Sequence, residues 1–208
     1  LTINNTQLIE VRLAPSLIIG KEIVITGSRV SETILSSPVS IQKMTIKEIK
    51  SSPSGDFYQG LGNLSGIDIV TSSLGMKVIN MRGFNTTAPV RIVQFIDGID
   101  NQAPGLNFPV GNLVGAPDID LQSVEVISGA ASALYGANAF QGVVSMTSRD
   151  PYTSPGLGIS LKGGNRRYAD AQFRYAQALG KNKKLAFKLT GAFSRIGDWQ
   201  ADNVIANT

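Results

Sequence analysis

The stretch Val124-Glu-Val-Ile-Ser-Gly-Ala-Ala-Ser-Ala-Leu-Tyr-Gly136, closed by Gly142-Val-Val-Ser-Met-Thr147, decides the fold, because it reads as strand, tight glycine turn, short helix and strand again. Small side chains from Ala130 to Ala133 let such a helix lie close against a sheet. Tyr135 supplies one large anchor, and Gly136 ends the helix. Working outward, Gly66-Ile-Asp-Ile-Val70 puts Ile67 and Ile69 on one face. Val78 to Met81 and Arg91 to Ile96 read as further strands of the same sheet, the last ending at an Asp97-Gly98 turn. Val39 to Met44 reads as a strand leading into Thr45-Ile-Lys-Glu48, a capping box that opens a helix stopped by Ser51-Ser52-Pro53. A second helix is expected from Asp56 through Leu61. Between Asn101 and Pro117, Pro104, Pro109, Pro117, Gly105, Gly111 and Gly115 break regular structure, and loops of that length inside a compact domain are usually functional.

After Pro151 the texture changes. Leu185, Phe187, Leu189, Gly191 and Phe193 alternate with Ala186, Lys188, Thr190, Ala192 and Ser194, an apolar face against a small or polar one. Tyr168 to Leu179 sets Ala169, Ala171, Phe173 and Tyr175 against Asp170, Gln172 and Arg174, and Leu157 to Lys162 reads as a third strand of the kind. The Gly180 to Lys184 connection has the length of a short barrel turn. No run of 18 apolar residues exists, so no helix is expected to span a membrane. Three strands cannot close a barrel, so its remainder is expected outside this sequence. Ile9, Val11 and Leu13 alternate with Glu10 and Arg12 before Pro15, another strand pattern. The chain starts at Leu1 within it, as a cut or processed piece would.

Composition narrows the chemistry. The 208 residues include no cysteine and no histidine, which removes disulfides, most zinc sites and every Cys/His or Ser/His nucleophile pair, so no enzyme and no cofactor is expected. Ser128 and Ser132 have no histidine to activate them. The net charge of +4 is uneven: residues 1 to 150 carry 10 Lys/Arg against 12 Asp/Glu, and residues 151 to 208 carry 9 against 3. The basic residues Arg166, Arg167, Lys181, Lys183 and Lys184 fall in turns without interleaved aromatics, so no nucleic-acid partner is expected. Arg166 and Arg167 are either solvated or poised against lipopolysaccharide phosphates. Gly60-Leu-Gly-Asn-Leu-Ser-Gly66 has helix and strand in the wrong order for a dinucleotide loop. Asp97, Asp100, Asp118 and Asp120 lack calcium-loop spacing and are expected to serve turns and caps, with no metal site.

Together with Asn80-Met-Arg-Gly-Phe84 and Asp97-Gly98, the opening stretch resembles the plug domain of TonB-dependent outer-membrane receptors, over roughly residues 22 to 150. The implied fold is an α/β plug with a small mixed sheet, of roughly four strands, followed by the first strands of an antiparallel transmembrane β-barrel. The implied division is residues 1–14 as the tail of a preceding, carboxypeptidase-regulatory-like β-sandwich, 15–35 as a linker, 36–150 as the plug and 151–208 as barrel strands. Glu22, Ile23, Val24, Ile25 and Thr26 resemble the TonB box, an uncharged-core, β-prone segment suited to adding a strand to a partner's sheet; the other reading makes it the first strand of the plug sheet. The sequence departs from the family at Ser128, where a basic residue is usual, at Ala130, where proline is, and at Ser145, where asparagine is. The resemblance then leaves Arg82 as the candidate for a plug-to-barrel latch, with Glu125 engaged on the plug itself.

By position, Phe84, Asn85, Asn107 and Phe108 are the expected substrate contacts on outward loops. The implied function is TonB-dependent active import across the outer membrane, the plug lying in the barrel lumen and the N-terminus in the periplasm. Partners so implied are the TonB C-terminal domain, outer-membrane lipid and lipopolysaccharide, a transported ligand and, for glycan or peptide receptors, a surface lipoprotein. Two other classes stand beside it: a static plug or assembly component blocking a channel without transport, and a soluble α/β protein, which the alternation after residue 167 disfavours.

Overall fold

The computed structural model describes residues 23–24, 32–33, 40–51, 56–73, 75–129, 131–136, 138–180 and 184–198. The expected strand around Ile9 to Leu13, together with Glu22, Ile25, Thr26, Ala130 and Lys181 to Lys183, lies outside those residues. In chain order the elements are β1 (Ile23–Val24), β2 (Glu32–Thr33), β3 (Ser40–Thr45), α1 (Ile46–Ser51), α2 (Phe57–Leu61), β4 (Ile67–Ser73), β5 (Met76–Met81), β6 (Ile92–Ile96) and β7 (Ile99–Asp100). A 3-10 turn (Asp118–Asp120), β8 (Leu121–Ser128), α3 (Ser132–Tyr135), β9 (Gly142–Ser148), β10 (Gly156–Gly164), β11 (Tyr168–Leu179) and β12 (Leu185–Arg195) follow.

The main sheet has the order β3-β8-β9-β6-β7, antiparallel except for the parallel β6–β9 pair. It is therefore mixed, and its central strands are buried on both faces. Alternation along each strand supplies two cores. One face carries Met44, Val124, Val126, Val144 and Met146 and is covered by α1, α2 and the β4–β5 hairpin through Ile49, Phe57, Leu61, Ile79 and Met81. The other carries Ile41, Val93, Ile127 and Val143 and is closed by Ala131, Ala139 and Tyr135 from the α3 segment. A Cβ on Gly142 would overlap the Ile127 carbonyl and the Met81 sulfur, so β9 can start there only as glycine. Asp97 (φ 50) and Gly98 (φ 81) turn β6 into β7 with both residues left-handed, as a two-residue hairpin requires.

One expectation is corrected. β4 and β5 do not extend the main sheet; they pair with each other alone, from Ile67↔Met81 to Ser73↔Met76 with an irregularity at Thr71/Ser73. The hairpin packs Ile67, Ile79 and Met81 face-on against the sheet, so it acts as a cover. The capping box at Thr45 also differs in detail: the Glu48 carboxylate accepts both the Thr45 amide (2.6 Å) and the Thr45 hydroxyl (2.9 Å). Asp56 caps α2 by accepting from the Gln59 amide at 3.2 Å.

β10, β11 and β12 form a separate antiparallel sheet in that order, with Ile159 opposite Phe173 and Phe173 opposite Gly191. Its burial is inverted relative to a soluble sheet. Leu157, Ile159, Leu161, Leu185, Leu189 and Phe193 are exposed, while Asp170, Gln172 and Arg174 are buried towards the α/β unit. Phe173 lies over Gly191, where a Cβ would collide with its ring.

Candidate functional site

The 3-10 turn Asp118–Asp120 fastens all three strands to the α/β unit. Asp118 accepts from Lys162 Nζ of β10 at 2.9 Å, and the Ile119 amide donates to Gln172 Oε1 of β11 at 3.1 Å. Asp120 accepts from Arg174 Nε of β11 at 2.6 Å and lies 2.8 Å from Lys188 Nζ of β12. Arg174 spends its remaining donors on the Ser154 carbonyl (2.7 Å) and the Arg149 carbonyl (3.2 Å), and Lys188 donates to Ser148 Oγ (2.7 Å). Asp120 is 3% exposed and Arg174 2%, so this is a dry ion pair with its hydrogen bonds satisfied. Burial raises the Asp118 pKa above its ordinary value, an effect the Lys162 hydrogen bond only partly offsets.

These two aspartates are the residues that sequence reasoning missed: expected in turn and cap roles, they tie the α/β unit to the strands. The signal was available in the cations at even positions of β11 and β12, which sit on the polar face and must meet a counter-charge if that face is covered.

The expected site residues fall as follows. Ile23 and Val24 form a two-residue antiparallel ladder with Thr33 and Glu32, separate from the main sheet. Glu125 is buried in β8, where cross-strand Lys43 pairs with it at 3.4 Å within the α/β unit. Arg82 is exposed at φ 60, its guanidinium alongside Gly129, and makes no ion pair among the described residues. Phe84 and Asn85 are exposed in a loop that buried Asn80 pins through the Thr86 amide (3.1 Å) and carbonyl (2.9 Å). Asn107, left-handed at φ 57, and half-buried Phe108 belong to the 101–117 loop, where Asn138 donates to the Asn107 carbonyl at 2.9 Å. No hydrogen bond joins the Phe84–Asn85 stretch to Asn107–Phe108 among the described residues.

Residues 101–117 contain no helix or strand, as the prolines and glycines require. A cavity of about 570 Å³ lies between the end of this loop and the strands, walled by Asp56, Tyr58 and Asn112 on one side and by Tyr168, Asp170 and Ser194 on the other. Its size is that of a small-molecule site. The Tyr58 hydroxyl is buried and donates to the Gly111 carbonyl (2.7 Å), with the Gln94 side-chain amide also within hydrogen-bond distance (2.8 Å); burial pushes its pKa well up, so it stays protonated.

Residues 33–143 match the family described as TonB-dependent Receptor Plug Domain. Among curated proteins, the chain is 28% identical over 178 residues to the vitamin B12 transporter BtuB of Vibrio vulnificus (strain CMCP6), covering 82% of this chain and 27% of that protein. It is 27% identical over 168 residues to a ferrioxamine B receptor of Salmonella typhimurium (strain SL1344), covering 80% and 23%. The chain thus spans about a quarter of the length of these relatives. Among solved structures, the alcaligin outer-membrane receptor FauA from Bordetella pertussis superposes with a TM-score of 0.66 at 17% identity, covering 84% of this chain and 29% of that one. The pyoverdine outer membrane receptor FpvA from Pseudomonas aeruginosa PAO1 gives 0.65 at 18%, covering 83% and 24%. At those identities the likeness establishes the fold.

Proposed function

Because this chain belongs to the TonB-dependent receptor plug domain family, matched over more than half its length, we propose that it is the gate and first wall strands of an outer-membrane receptor that imports its substrate under TonB control. The observation that carries this reading is the reversed polarity of β10–β12, apolar side chains outward and Lys162, Arg174 and Lys188 inward onto acids of the plug. Such a sheet suits a wall with lipid outside and a plug inside.

Residues 1–14 are then a preceding domain's tail, 15–35 the linker, 36–150 the plug and 151–208 wall strands. Glu22, Ile23, Val24, Ile25 and Thr26 form the segment that the TonB C-terminal domain takes up by strand addition. Phe84, Asn85, Asn107 and Phe108 face the substrate. Glu125 is committed to Lys43, so Arg82 offers the charge for a further wall contact, beyond the ties at Asp118 and Asp120. The outward face of β10–β12 meets membrane lipid, and Arg166 and Arg167, both exposed and left-handed at the β10–β11 turn, meet lipopolysaccharide phosphates at its rim. The receptor is no enzyme in this reading.

Deleting residues 22–26 from the full-length receptor tests the proposal. Uptake and co-purification with the TonB C-terminal domain should both be lost while the protein still reaches the outer membrane. Unchanged uptake and binding would favour the static plug instead.

A further inference from the structure

Five hydrogen bonds and one close approach converge where the 101–117 loop meets the plug. Asn112 Oδ1 accepts from the Lys77 amide of β5 at 2.8 Å, and Asn112 Nδ2 donates to Asp56 Oδ2 at 3.0 Å. The same Asp56 oxygen accepts from Lys77 Nζ at 3.0 Å, and Asp56 Oδ1 caps α2 through the Gln59 amide. One residue before Asn112, the Gly111 carbonyl accepts from Tyr58, itself in α2, while Gly111, left-handed at φ 56, sits so close to the Lys77 carbonyl that a Cβ would overlap it. The loop is thus held by a side chain that shares one carboxylate with the helix cap. Asp56, Tyr58 and Asn112 also wall the 570 Å³ cavity, so material entering it would press on these contacts.

We infer that Asn112 is a clasp through which the 101–117 loop governs the N-terminus of α2: lifting the loop withdraws the amide that orients Asp56, and the helix cap loosens with it. This deepens the proposed function and rests on its placement of the loop towards the substrate. Asp56 keeps its Lys77 pairing in the lifted state, so the carboxylate retains a counter-charge and swings towards the cation and away from the Gln59 amide. Movement of a substrate-facing loop is in this way converted into a change at the first turn of a helix in the plug's N-terminal third.

Amide hydrogen exchange on the intact receptor in detergent micelles tests the clasp without any transported ligand. In Asn112→Ala, exchange should accelerate at the Lys77 amide, which loses its acceptor, and also across 59–61, to which Asn112 makes no hydrogen bond among the described residues, by roughly fivefold, the size expected when an N-cap is lost. The exchanged pair Asp56→Asn with Asn112→Asp recreates a carboxylate beside Lys77 and an acceptor at the helix cap, and should restore protection at both places. Faster exchange at Lys77 with 59–61 unchanged overturns the inference, as does a swapped variant that melts like the wild type but leaves 59–61 unprotected. Loss of uptake after deleting 22–26 bears on the transport reading alone, so the two can fail separately.

Discussion

In β8, Val124 and Val126 turn inward to share one apolar core with Met44 and Leu61, whereas in β12 Leu185 and Leu189 turn outward and Lys188 turns inward towards Asp120. The two sheets follow the same period-2 rule with opposite sign. In the first, hydrocarbon is buried on both faces of the sheet, and that burial stabilises it. For the second, hydrocarbon on the exposed face is stable only where the surroundings are apolar as well, and the polar face is stable only where something supplies counter-charges. The Asp118–Asp120 turn is where the two rules meet, since it ends one sheet's loop and fills the other's polar face.

The largest break in that comparison should come from Asp120→Ala. It strands Arg174 at 2% exposure with carbonyl partners but no anion, and removing one member of a buried pair costs ~3–5 kcal/mol. Thermal denaturation of the full-length receptor in micelles reads the loss. Asp68→Ala, at an exposed position of β4, serves as the comparison and should change stability by under about 0.5 kcal/mol. Equal shifts for the two variants would mean that the junction contributes nothing.

Next in size is Leu189→Arg. Leu189 is 58% exposed, and in a water-soluble sheet an arginine there would be harmless, but facing lipid it should cost ~2–4 kcal/mol near the bilayer midplane. Equilibrium folding of the receptor into phospholipid vesicles measures it. A neutral result would remove the contrast between the sheets.

Much of this was legible in the residues because the deciding signals are local. The alternation at 157–162, 168–179 and 185–194 gives β10 to β12 to within a residue or two, and Thr45 to Glu48 gives the start of α1. The breakers in 101–117 give the loop. What local pattern cannot supply is partnership across the chain. Strand periodicity looks alike whether β4 and β5 extend the main sheet or cover it, and only packing of Ile79 and Met81 against β8 and β9 decides for the cover. Asp120 lies 54 residues from Arg174, so its role became visible only once the strands folded back over the turn. The pairing of Glu125, a charge in the middle of an apolar strand, with Lys43 directly opposite likewise depends on which strand lies beside β8.

The smallest effect separates the two regions by the sign of a proton linkage. Glu48, exposed at the start of α1, is held below its ordinary carboxylate pKa of 4.5 by the Thr45 amide and then by the Thr45 hydroxyl. Its folded pKa is depressed, so its contribution is present above pH 4.5 and fades as pH falls through the folded value. Asp118 at the junction goes the other way. Its folded pKa is raised above 3.8 by burial, so the folded state holds the proton more tightly than the unfolded chain. Ionising it therefore opposes folding, and stability declines as pH rises from 3.8 through the folded value. Denaturation of the receptor between pH 3 and 7 should then show Glu48→Gln losing about 0.5 kcal/mol at neutral pH and matching the wild type in acid, the size of a weak cap. Asp118→Asn should instead flatten the wild-type decline over the window just above 3.8. Two variants with the same sign of slope would mean that the junction is as wet as the helix cap, and the contrast between the water-facing unit and the covered polar face would be lost.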